Sequence, residues 1–96
     1  MKQVWKYRLA LTSNAQSVLM PLGTQVLSLQ LQLEEPVLWA KVYTEAPVVP
    51  RYFAFVGTGL SVPENSGYVG TLLLENGSRA LHLFELMVPG RESSHG

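Results

Sequence analysis

The chain has 96 residues, 47% of them hydrophobic and only 15% charged, with seven basic residues balanced by seven acidic ones. A domain of this size holds one core and leaves no room for a deep cleft beside it. Cysteine is absent, which excludes disulfides, thiolate catalysis and cysteine-ligated zinc; aspartate is absent too, so a two-metal nuclease cluster would need glutamate alone.

Val4–Leu11 alternates, with Trp5, Tyr7, Leu9 and Leu11 on one face and Lys6 and Arg8 on the other, the pattern of a strand with one wet face. Its charges and lack of a small-residue cleavage site set MKQVWKYRLAL apart from a signal peptide. Thr12–Ala15 is a turn cluster, and Gln16–Met20 is a second short strand stopped by Pro21. Thr24–Leu33 sets Leu27, Leu29, Leu31 and Leu33 against Val26, Ser28, Gln30 and Gln32. Leucine and glutamine favour helix, yet a helix would scatter those leucines around its circumference, so the period predicts a strand.

Glu34-Glu35-Pro36 reads as a turn, and Val37–Thr44 as a strand with Trp39, Lys41 and Tyr43 opposite Leu38, Ala40 and Val42. Glu45–Pro50 reads as a connection too proline-rich for mid-sheet pairing. Arg51–Thr58 follows as a strand, and Gly59–Gly67 as the longest loop. Tyr68–Leu74 and Ala80–Val88 flank Glu75-Asn76-Gly77-Ser78, where Asn-Gly supplies the positive φ of a tight hairpin. Both strands are apolar on both faces, the last with Leu81, Leu83 and Met87 against Ala80, Phe84 and Leu86 and His82 among them, which predicts for each a central place in the sheet stack or a subunit contact.

The expected fold is all-β: a small antiparallel sandwich or barrel of about seven strands with no significant helix. Residues 1–88 form a single domain, and 89–96 read as a flexible C-terminal tail. No run reaches the roughly 18 apolar residues of a membrane span, so the expected location is cytosolic. The basic residues Lys2, Lys6, Arg8, Lys41, Arg51, Arg79 and Arg91 are scattered and mark no footprint for duplex nucleic acid. The low charge content predicts surface hidden in a homo-oligomer.

Candidate chemistry is sparse. His82 and Glu85, three apart on a strand, point to opposite faces and cannot chelate one ion, so no metal or other cofactor is expected. No G-x-S-x-G frames a serine, and Gly57-Thr58-Gly59 lacks the lysine of a phosphate loop, though its N–H groups suit an anion. The aromatic residues on alternate strand positions, Trp39 among them, fit either a stacking platform for bases or core and oligomer contacts. The candidate ligand-binding residues are therefore Arg51, whose planar fork suits phosphate or carboxylate, with Gly57, Thr58, Gly59, Trp39 and His82.

Lys6-Tyr7, Met20-Pro21, Val26–Gln32 (VLSLQLQ), Leu38-Trp39-Ala40, Gly57-Thr58-Gly59, Tyr68–Thr71 (YVGT) and His82–Glu85 (HLFE) follow one another in an order that resembles a family of small bacteriophage proteins, over residues 1–88. The family brings no catalytic residues with it, and where its members often carry histidine after Gly-Thr-Gly this chain has Leu60. The resemblance implies a phage accessory protein in the host cytoplasm. Such a protein acts without enzymatic chemistry, inhibiting a bacterial defence system by binding a host defence protein or sequestering a small nucleotide signal. A minor phage structural or assembly protein is the second expectation, and a small hydrolase using His82 the third.

Overall fold

The computed structural model describes residues 1–87 and contains seven strands: β1 (Lys2–Arg8), β2 (Gln16–Pro21), β3 (Gln25–Gln32), β4 (Glu35–Tyr43), β5 (Val48–Gly57), β6 (Ser66–Leu74) and β7 (Arg79–Leu86). Val88 and the expected tail at 89–96 lie outside the described residues. All pairings are antiparallel, and the strands form two sheets, β1-β4-β3 and β2-β5-β7-β6. The two sheets face each other as an open sandwich, which decides against the closed barrel. No helix is present among the described residues, and so none is long and apolar enough to cross a membrane.

Alternation builds the core. Leu38 of β4, Phe53 and Phe55 of β5, Leu72 of β6 and Leu83 of β7 point between the sheets, joined by Met20 and Leu9. Tyr7, Val18, Val26, Leu29, Leu31, Val69 and Leu81 close the rim. Burying a side chain such as Phe53 or Leu83 stabilises by about 1.5–3 kcal/mol, so this cluster is the main source of stability. As expected, β7 is central in its sheet, with β5 on one side and β6 on the other; β6, read as apolar on both faces too, is instead the edge strand, with Tyr68 and Leu73 exposed.

Three local features depart from the expectations. The alternation of β3 breaks at a bulge between Val26 and Ser28. Val26, opposite Ala40, therefore joins Leu29 and Leu31 inside, while Leu27 is 48% exposed. A bulge adds one residue to one strand and so reverses facing beyond it. The β3–β4 turn is Leu33-Glu34, with φ of 51° and 66°, and β4 starts at Glu35.

Two prolines expected in a turn or connection lie inside strands instead, Pro36 in β4 and Pro50 in β5, each where its strand has a ladder partner on one side only or at the ladder's end. Pro36 pairs with Leu31 of β3 and turns its ring nitrogen toward β1 just past the last ladder pair, Arg8–Val37, so its missing N–H forfeits only one bond at the ladder's end. Its carbonyl still accepts from Leu9 N at 3.0 Å. Pro50 lies inside β5 opposite Leu19 of β2, beyond the Tyr52–Leu86 pair where the described β7 pairing stops.

Candidate functional site

β5, β7 and β6 lie side by side, and their outward residues meet in rows: Val56, His82 and Thr71 in one, Ala54, Phe84 and Tyr68 in the next. His82 alternates with the core residues Leu81 and Leu83, so its imidazole stands on the outer face. Its Nε2 lies 2.8 Å from Thr58 Oγ1 and its Nδ1 2.9 Å from Thr71 Oγ1. Thr71 Oγ1 is in turn 2.6 Å from the Tyr68 hydroxyl. A hydroxyl–imidazole–hydroxyl row thus runs from the bend after β5 across β7 to β6.

The surroundings of that row are apolar. Tyr68 packs edge-on against Phe84 at 5.8 Å between centroids. Leu19, Tyr68 and Leu73 point outward and are 64%, 63% and 60% exposed, and Tyr52 and Leu86 complete the face half-buried. No lysine or arginine of the described residues stands on it: Arg51 is on the inner side, and Arg79 lies at the β6–β7 hairpin.

Gly57-Thr58-Gly59 closes β5. The Gly57 carbonyl accepts from Leu60 N at 3.1 Å, and Gly59 has φ of +90°, the third position of a turn that requires a left-handed residue. Beside this bend, at the end of the sandwich, a groove of about 710 Å³ is lined by Leu11, Phe55, Thr58, Leu60, Arg79 and Leu81 among others.

Of the predicted site residues, the fold gathers Gly57, Thr58, Gly59 and His82. Arg51 is directed elsewhere. It alternates with Phe53 on the inner side of β5, donates to Glu85 through Nε (2.6 Å) and Nη2 (2.7 Å), and donates through Nη1 to the Thr24 carbonyl (2.5 Å). The hydrogen bonds it donates to Glu85 hold its guanidinium pKa above the ordinary value against the opposing effect of burial. Arg51 is therefore a structural cation, about 20 Å along β5 from Gly57 at the usual rise per residue. Trp39 is on the outer side of the other sheet, between the fully buried Leu38 and Ala40, and its indole N–H donates to Gln30 Oε1 at 3.0 Å. Trp39 and His82 thus look out from opposite sides of the molecule.

Sequence reasoning missed Thr71 and read Tyr68 only as one of the aromatics that fit a stacking platform or a core or oligomer contact. The hairpin register supplies the signal, because it sets Thr71 opposite His82. What the row can do follows from its chemistry. A neutral imidazole donates from one nitrogen and accepts at the other, so one threonine hydroxyl donates to it and the other accepts. In a hydrolytic triad the far nitrogen meets a carboxylate; here it meets Thr71. No group of three metal-binding side chains occurs among the described residues.

The model of a family described as a domain of unknown function, DUF7352, matches residues 1–94. The chain belongs to that family. Comparison with curated proteins and with solved structures gives no match. The DUF7352 domain is thus a seven-stranded sandwich with one outer face apolar around a histidine row and the opposite outer face built on β1-β4-β3.

Proposed function

We propose that this DUF7352 domain is a non-enzymatic binding protein and that the outer face of β2-β5-β7-β6 is the surface it uses, against another protein. The observation that carries the reading is the exposure of Leu19, Tyr68 and Leu73 on one sheet face with no described cation among them. Apolar surface of that kind is covered favourably by a complementary protein surface. An anionic nucleotide gains little there, because Arg51, the cation on β5, is already held by Glu85. The His82 row adds hydroxyl groups at fixed positions, which gives directional polar contacts inside an apolar patch.

Within this reading, the resemblance to bacteriophage proteins sets the scene as an infected bacterium, with a defence protein of the host as the covered surface and inhibition of that defence as the outcome. The test is plating of defence-sensitive phage on hosts that carry single defence systems, with and without this protein expressed. Restored plaque formation against one system supports inhibition of that system. Unchanged plating against every system, together with incorporation of the protein into purified particles, would assign it to the virion instead.

A further inference from the structure

The opposite face of the molecule concentrates the chain's positive charge. Of the six lysines and arginines among the described residues, Lys2, Lys6 and Arg8 of β1 and Lys41 of β4 share the outer side of β1-β4-β3. The register places Lys2 beside Tyr43, Val4 beside Lys41 and Lys6 beside Trp39. One carboxylate, Glu35, joins them at the end of β4, 3.9 Å from Arg8 Nε, with both side chains mostly exposed. A contact that long and that wet is screened and leaves the positive field largely intact. The zero net charge of the whole chain hides this face.

Rings and cations interleave on it. Trp39 and Tyr43 stand on the central strand with Lys41 between them, about 13 Å apart at the usual rise per residue. Lys6 Nζ and Lys2 Nζ each lie 6.0 Å from the centroid of the ring beside them. Gln30 holds the Trp39 indole N–H, and Gln32 accepts from Lys6 Nζ at 2.7 Å, so both side chains are pre-positioned.

We propose that this outer face of β1-β4-β3 binds single-stranded nucleic acid. Phosphates meet Lys2, Lys6, Arg8 and Lys41, and unpaired bases stack on Trp39 and Tyr43, the combination of a basic track and aromatic platforms that suits a single strand of any sequence. Duplex nucleic acid hides its bases from such rings, and a flat sheet face carries no element to enter a groove. An acidic peptide satisfies the charges but leaves the rings unused.

The test is fluorescence anisotropy with labelled oligothymidylate of about 12 nucleotides, within the range of site sizes for such platforms. It uses the full chain and its Trp5→Phe variant, in which Trp39 is the remaining indole. The expected result is binding at about 50 mM salt that weakens with a log–log slope near −2 to −3, from three or four phosphate contacts. Trp39 fluorescence is quenched on binding, and Lys6→Gln/Lys41→Gln, folded by circular dichroism, binds at least tenfold more weakly. The proposal is overturned by no anisotropy change at that salt or by equal binding of the double variant. It is also overturned by equally tight binding of polyglutamate with Trp39 unquenched, which assigns the face to acidic peptides.

Discussion

Arg51 and Glu85 form a two-pronged ion pair on the inner side of β5 and β7, at 2.6 and 2.7 Å, with each side chain 22% exposed. The third prong, to the Thr24 carbonyl, ties this pair to the segment that leads into β3. Removing one partner leaves the other charge without its counterpart in a partly dry place, so Arg51→Met or Glu85→Leu alone destabilises by about 2–3 kcal/mol, below the range for fully buried pairs. Arg51→Met/Glu85→Leu recovers part of that loss. Urea unfolding of the double-mutant cycle measures the coupling, and additive losses would contradict it.

Tyr7 lies at the same end of the core, and its hydroxyl is buried without a hydrogen-bond partner. Burial raises its pKa above the ordinary value, and the nearby Arg51 charge only partly offsets this. A group whose pKa is raised on folding contributes stability that is complete below its unfolded pKa, about 10, and lost as pH rises through the higher folded value. Stability of the wild type therefore falls above pH 10. Tyr7→Phe removes part of that fall and at neutral pH changes stability by about 0 to +1 kcal/mol, because an unsatisfied hydroxyl is lost. Urea unfolding at pH 7 and at alkaline pH checks both.

Gly70 of β6 faces Leu29 of β3 across the sandwich so closely that a Cβ on it would sit 3.1 Å from Leu29 Cβ. Leu29 Cβ is fixed to the backbone and cannot rotate away. Loss of glycine's unfolded-state freedom gains about 0.4–1 kcal/mol, whereas overpacking costs about 1–3. Gly70→Ala is therefore destabilising by about 1 kcal/mol, and Gly70→Val by more. Leu29→Ala, which keeps that Cβ, does not rescue Gly70→Ala; thermal unfolding of the set decides.

The Leu33-Glu34 turn is a two-residue hairpin turn made from residues that resist positive φ, and Leu33 is 94% exposed at its tip. Leu33→Asn/Glu34→Gly supplies the preferred residues and sacrifices no buried surface, so it stabilises by about 1 kcal/mol. The urea midpoint rises with its slope unchanged. A lower midpoint would show that Leu33 packs on something in solution.

Alternation made all seven strands legible, and the Asn76-Gly77 turn was legible from its chemistry, with φ of 57° and 88°. What alternation cannot carry is a reversal of its own phase: the β3 bulge moved Leu27 outward and Val26 inward with no residue to announce it. The Leu33-Glu34 turn was hidden because neither residue is a turn former at positive φ. Glu85 has the same parity as Leu81 and Leu83, which places it inside, but its cation sits on another strand and only the β5–β7 register reveals the pair. The basic face was invisible for the same reason, since its cations come together only when β1 is laid against β4.

The most direct test of the contact account is inhibition of a responsive defence system by three forms of the protein, each shown to be folded by circular dichroism. The account predicts that Leu19→Glu/Tyr68→Glu abolishes inhibition, because charge is placed in the covered face. It predicts that His82→Gln retains it, because the amide can still bond Thr58 and Thr71. Full inhibition by the doubly charged form, with loss of inhibition in His82→Gln, would contradict the account and point to chemistry at the imidazole.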